Sequence, residues 1–261
     1  MLTGRLPPLS GSSLERLDIS FNKFTSSIPP EWGANGSFPA IQYIDFTDNT
    51  GLKGSLPAWG SGGAMQSLYK LRISNCSLSG TLPEQIGSDL PSLTLLYASH
   101  NRFSGTLPAA WSQLDIQQLS LEANRLTGTL PSEWGLQWPN AYLLYLSNNS
   151  LQGTLPPAWA GLVATVQKTS GGNYTEGGIL DLAGCNLSGT IPANWTGNSV
   201  ALFPGNPGLC GPLPSAFNYS FFDNDKQSYF QSNARQLSPC ESLSLFGAQL
   251  DCSHIVCSHE E

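Results

Sequence analysis

The amino-acid sequence predicts an α/β repeat solenoid, right-handed, with a parallel β-sheet on its concave side and short 3-10 or irregular segments on its convex side. Three observations predict it. One phrase recurs eight times, anchored on an Asn or a Cys. Apolar residues alternate with others just before each anchor. A second phrase ending in Leu-Pro or Ile-Pro follows most anchors.

The anchors are Asn22, Asn49, Cys76, Asn101, Asn124, Asn149, Cys185 and Asn206, spaced 27, 27, 25, 23, 25, 36 and 21 residues apart. Three residues before them stand Ile19, Phe46, Ile73, Ala98, Leu121, Leu146, Leu182 and Phe203. Five before stand Leu17, Ile44, Leu71, Leu96, Leu119, Leu144, Leu180 and Ala201. Alternation with period two over so few residues predicts a short strand with one buried face. A buried Asn at each anchor must find hydrogen-bond partners, and neighbouring backbone groups can form a ladder with it. Cys fits the same slot as a small apolar group with a weak donor.

The second phrase is typified by Leu126-Thr127-Gly128-Thr129-Leu130-Pro131. Pro ends a short extended segment and Gly permits a tight bend. The first full copy has Ser26 at the Gly slot. Two or three residues past Pro an aromatic recurs (Trp32, Trp59, Trp111, Trp134, Trp159, Trp195, Phe217), with Ile86 the exception. One large ring per coil predicts a buried aromatic column. A unit of about 24 residues cannot bury its own apolar face, so stacked units share one core.

The combined pattern, carried by Leu14 to Pro29, Leu68 to Pro83 and Ile116 to Pro131, resembles the plant-type leucine-rich repeat. The stretch Asn206 to Pro214 resembles the closing repeat of plant receptor ectodomains, and Trp after Leu-Pro resembles green-algal members. From Ser215 the period is lost, so a polar, Cys-containing cap or tail, partly disordered, is expected over 215–261, and the resemblance implies a solenoid over residues 1–214. It further implies a non-catalytic ligand-binding module, receptor-like or secreted, outside the cell or on its surface. Two alternatives stay open: a secreted enzyme inhibitor of the polygalacturonase-inhibitor type, and an intracellular or axonemal scaffold. The chain opens on Leu2-Thr3-Gly4-Arg5-Leu6-Pro7, a copy of the second phrase, so the sequence is expected to begin inside a repeat.

Composition narrows the partners. Charged residues make up 11% of the chain, against roughly 25% in an average globular protein. The net charge of −7 argues against nucleic acid, which demands a basic face. No apolar run approaches the roughly 18 residues of a membrane helix.

The 36-residue spacing places an insertion at Ala160 to Gly177, whose end at Ser170 to Gly178 is expected as an exposed loop. It is either a ligand-contacting insertion or a tolerated surface insertion, the latter favoured, and the smaller insertions at Ala34 to Phe38 and Gly60 to Met65 are expected as surface insertions likewise. Cys210, Cys240, Cys252 and Cys257 are disulfide candidates, with three possible pairings. A metal site from Cys252, His254, Cys257 and His259 is the alternative, but its spacing matches no common zinc pattern. Glycosylation sequons occur at Asn35, Asn75, Asn148, Asn173, Asn186, Asn194 and Asn218. Asn35, Asn173 and Asn218 are favoured because they fall in expected loops or the tail.

No catalytic constellation emerges, and neither a cofactor nor a metal is expected. Asp18 and Asp45 occupy equivalent slots in adjacent coils, where they would be two solvated acids or a cation seat. Residues beside the core positions should face outward from the concave sheet. Tyr43, Lys70, Arg72, Leu95 and Tyr97 cluster there on adjacent coils, with Leu143 and Tyr145 extending the cluster as an apolar edge. Tyr and Arg dominate binding hot spots, so these seven are the candidate ligand-binding residues for a protein, peptide or glycan. A row at Ser55, Thr81, Thr106, Thr129, Thr154 and Thr190 suits either a lattice-like ligand or the β-propensity of Thr.

Overall fold

A computed structural model describes residues 1–11, 13–33, 37–57, 59, 64–164, 178–195, 200–203 and 205–210. The expected tail, residues 215–261, lies outside them.

Eight three-residue strands form one parallel inner sheet: Arg16–Asp18, Tyr43–Asp45, Lys70–Arg72, Leu95–Tyr97, Gln118–Ser120, Leu143–Tyr145, Ile179–Asp181 and Val200–Leu202. Every strand pairs with the next in chain order, so the apolar centres Leu17, Ile44, Leu71, Leu96, Leu119, Leu144, Leu180 and Ala201 stand in one register column. The sheet is parallel because each strand returns after a whole coil.

The second phrase builds a parallel sheet of seven strands, Lys53–Gly54, Ser77–Thr81, Arg102–Thr106, Arg125–Gly128, Ser150–Thr154, Asn186–Gly189 and Gly208–Leu209. Thr3–Arg5 pairs separately with Lys23–Thr25. Ser26 adopts φ +84° where the other copies use Gly. There the outer ladder is reduced to a single bridge to Leu52. Short 3-10 turns (Pro30–Gly33, Ala109–Gln113, Pro157–Trp159) and short helices (Ile86–Asp89, Ser132–Gln137, Ala160–Ala164) complete the coils.

The residue before each anchor has positive φ in all eight coils: Phe21, Asp48, Asn75, His100, Ala123, Asn148, Gly184 and Gly205. This left-handed residue stands three positions past the end of each inner strand and turns the chain across the coil. It carries a cost in a non-Gly residue, which the anchors help offset. Asn101 accepts the Leu78 N–H at 3.1 Å and donates to the Ile73 and Ala98 carbonyls at 2.7 and 3.1 Å. Asn49, Asn124, Asn149 and Asn206 repeat this geometry. Asn22 starts the ladder, accepting from Leu2 N–H and donating to Ile19. Cys76 donates its thiol to the Phe46 carbonyl at 3.3 Å. The Leu52 N–H of the preceding coil turns to the Asn49 carbonyl instead. Cys185 contacts the Leu146 carbonyl in the same way, at 3.6 Å.

A second ladder runs through the tryptophans. Trp32, Trp111, Trp134, Trp159 and Trp195 are buried, and each indole N–H donates to a proline carbonyl of the preceding coil: Pro7, Pro83, Pro108, Pro131 and Pro156. Trp134 lies nearly parallel to Trp111 and Trp159, with ring centroids 6.4 and 6.1 Å away. The carbonyls of Pro83, Pro108, Pro131 and Pro156 also accept the backbone N–H three residues further on, so each carbonyl serves two donors. Trp59 is the exception, its buried indole N–H having no partner among the described residues.

Two expectations about insertions need correction. Phe38, Ala64 and Met65, at the ends of the smaller insertions, are buried in the core rather than carried on the surface. The long insertion begins with the helix Ala160–Ala164, and its Leu162 is buried. In each case an apolar side chain near the start or end of the insertion closes over the coil, so part of the added length packs into the solenoid; residues 34–36, 60–63 and 165–177 lie outside the described residues.

Candidate functional site

On the inner sheet the register places Arg16, Tyr43, Lys70, Leu95, Gln118, Leu143 and Ile179 in one column. Asp18, Asp45, Arg72, Tyr97, Ser120, Tyr145 and Asp181 form the next. All seven candidate ligand-binding residues therefore fall on two adjacent columns across four of the strands. Gln118 and Ser120, on the strand between them, were not among those candidates.

The early end of this surface is tightly organised. Asp45 is buried, although its sequence position implied solvent. It accepts from the Tyr43 hydroxyl at 2.7 Å, from the Thr47 N–H at 2.8 Å and from Arg72 at 3.3 Å. The Arg16 guanidinium covers the Tyr43 ring, 4.1 Å from its centroid, which leaves Tyr43 only 8% exposed. Burial raises the Tyr43 hydroxyl pKa, and its hydrogen bond to Asp45 adds to this. Arg72 also lies 5.6 Å from the Tyr97 ring.

This arrangement overturns the reading of Asp18 and Asp45 as a shared cation seat, and of Asp45 as a solvated acid, while Asp18 is exposed as expected. Asp18 is occupied by Ser20 and Arg16, and the Ser20 hydroxyl holds its carboxyl below the usual range. Asp45 is likewise fully engaged.

The later strands are more apolar. Leu95, Leu143, Tyr145 and Ile179 are half-buried. The Tyr97 hydroxyl donates to the Gln118 carbonyl oxygen, and the Gln118 amide donates to the Tyr142 hydroxyl. A polar bar therefore separates the Tyr97 and Tyr145 regions. Burial raises the pKa of Tyr97, Tyr145 and Asp181.

On the outer side Ser55, Thr81, Thr106, Thr129, Thr154 and Thr190 are exposed. Packing accounts for their regularity. The γ-methyls of Thr81, Thr106, Thr129 and Thr154 occupy the notch left by the Gly of the following coil. A Cβ added to Gly105, Gly128, Gly153 or Gly189 would meet the methyl at 2.8–3.0 Å. No group of three or more metal-ligating side chains occurs among the described residues.

Of the disulfide candidates, Cys210 is disulfide-bonded; Cys240, Cys252 and Cys257 lie outside the described residues. So do the favoured sequons Asn35, Asn173 and Asn218. The remaining sequon residues Asn75, Asn148, Asn186 and Asn194 are exposed. Sequence reasoning missed three features. The Trp138 indole, stacked on Trp134 with centroids 4.4 Å apart, donates to the Trp111 carbonyl; its place outside the regular aromatic slot hid it. The Trp-to-proline ladder was missed although both residues recur at fixed places. The clamp on Asp45 was legible only as three polar residues on adjacent strands.

Comparison with known proteins places this geometry. The Leucine Rich Repeat family matches residues 13–35, 67–88, 92–114, 141–162 and 179–198. Receptor-like protein 14 of Arabidopsis thaliana is 29% identical over 111 residues, 42% of this chain and 11% of its own length. Among solved structures, the plant peptide hormone receptor RGFR1 in complex with RGF2 is similar over 82% of this chain and 32% of its own, with 28% identity and a TM-score of 0.66. The PEPR1–AtPEP1 structure is similar over 78% of this chain and 31% of its own, with 25% identity and a TM-score of 0.53. The chain thus spans about a tenth of that curated relative and about a third of those two solved chains. The coils between the matched repeats pair in register with them. The chain carries leucine-rich repeats over the matched residues, in a solenoid similar to that of plant leucine-rich repeat receptors.

Proposed function

We propose that the chain is a non-catalytic recognition module, the ligand-binding region of a receptor-like or secreted protein, and that its inner sheet seats a protein or peptide. The observation that carries this reading is the pre-ordered cluster of Tyr43, Asp45, Arg72 and Tyr97. Its acid is neutralised and its side chains are held before any ligand arrives. Fixed aromatic and guanidinium groups bind with little further loss of side-chain freedom. The peptide bound in the RGFR1–RGF2 complex supports the same reading. The disulfide at Cys210 supports an oxidising setting outside the cell or on its surface.

The test is selection of a displayed random nonapeptide library on the whole chain. Recovered peptides should lose at least tenfold in affinity to Tyr97→Ala combined with Arg72→Ala. They should bind unchanged to Thr106→Ser combined with Thr129→Ser, which alters the outer side. Peptides indifferent to the inner-sheet pair would contradict the reading.

A further inference from the structure

Three basic side chains stand on the first three inner strands, and two are committed to acids. Arg16 pairs with Asp18 at 3.1 Å and Arg72 with Asp45 at 3.3 Å. Lys70 has no carboxylate partner among the described residues. Its ammonium instead lies 5.6 Å from the ring centroids of both Tyr43 and Tyr97. Two ring faces hold the charge in place and partly desolvate it, yet leave N–H donors free. A fixed, uncompensated ammonium complements an anionic group, which it can accept without further ordering.

The rest of the column supplies a second requirement. Beyond Leu95, Gln118 is engaged by Tyr97 and Tyr142, so the next available surface is Leu143 and then Ile179, both half-buried carbon. Leu143 lies three strands beyond Lys70. At about 4.8 Å per strand that is about 14 Å, which an extended peptide rising about 3.3 Å per residue covers in about four residues. Glu122 and Asp181 belong to the later coils and disfavour a second acid there.

Building on the reading of the inner sheet as a peptide seat, we propose that the ligand is an extended acidic–apolar segment crossing the strands. One Asp or Glu carboxylate sits on Lys70. An apolar side chain about four residues away sits on Leu143 and Ile179.

The recovered nonapeptides described above provide the test. They should carry an acid three to five positions from a Leu, Ile, Val or Phe. Lys70→Met keeps most of the aliphatic stem and removes the charge, and it should weaken them about tenfold. Replacing the peptide's acid with its amide should do the same. The two changes together should cost little more than either alone, because each removes the same contact. Peptides that need Tyr97 but show no acid dependence, or whose two losses multiply, would overturn the acid seat and leave the peptide-binding reading standing. Failure to recover any peptide, or binding indifferent to Tyr97→Ala, would overturn that reading and the acid seat with it.

Discussion

The Asn124 carboxamide oxygen accepts the backbone N–H of Phe103 at 3.0 Å, tying its coil to the one before it. Its amide group closes the same link through the Ala98 and Leu121 carbonyls. Asn124→Ala leaves these groups without partners and should cost about 1–3 kcal/mol. Gln152→Ala, on an exposed outer-strand position, should stay within about 0.5 kcal/mol. Urea unfolding of the two variants checks this, and equal losses would count against the ladder.

Backbone handedness gives a pair of opposite predictions. Ala123 is held at φ +56°, where a side chain costs roughly 1–2 kcal/mol. Ala123→Gly should therefore stabilise the protein by about 0.5–1 kcal/mol after the entropy gained by the unfolded chain. Gly128 sits at φ +78°, and its added Cβ would lie 2.8 Å from the Thr106 methyl. Gly128→Ala should destabilise by about 1–3 kcal/mol. Shifts in the denaturation midpoint of the same sign for both would refute this account.

Burial pushes the Cys76 thiol up to about 11 from its usual 9.0. At pH 8 the folded protein should leave Cys76 unmodified by iodoacetamide, while the unfolded chain reacts readily. The folded state retains this proton better, so Cys76 makes stability fall as pH rises between about 9 and 11. Mass spectrometry of native and unfolded samples measures the labelling; rapid modification of the native thiol would exclude the buried position.

Asp181 provides the acid-side counterpart. Desolvation raises its carboxyl pKa above 3.8, against the lowering effect of the Ala183 N–H and Ser147. A raised folded value means the native state keeps the proton longer, so this group's contribution to stability falls as pH rises above the unfolded value. Asp181→Asn should gain melting temperature relative to the parent as pH goes from 3 to 7. A constant difference across that range would show that Asp181 titrates alike in both states.

The parts of this fold that repeat were legible in the sequence, because a side chain needed once per coil leaves a periodic mark. The anchors Asn49, Asn101 and Asn124 and the strand centres Leu71, Leu96 and Leu119 are of this kind. The left-handed bend was not legible, because Phe21, Asp48, His100 and Ala123 share a backbone conformation and no common chemistry. For the candidate site, the two columns followed from strand period alone. Which residues remain accessible did not follow. Asp45 and Tyr43 are buried by Arg72 and Arg16, contacts across neighbouring strands that depend on where long side chains fold. Phe38 and Met65 show the same limit, since insertion length alone does not say which end returns to the core.

Photo-cross-linking distinguishes a ligand seated on the inner sheet from one bound elsewhere. A recovered nonapeptide carrying a photoreactive phenylalanine in place of its apolar residue would be bound, irradiated and mapped by mass spectrometry. Attachment is expected within residues 142–145 and 179–181, suppressed by excess unlabelled peptide. Attachment concentrated in the outer phrase, at residues 102–106 or 125–129, would contradict a seat on the inner sheet.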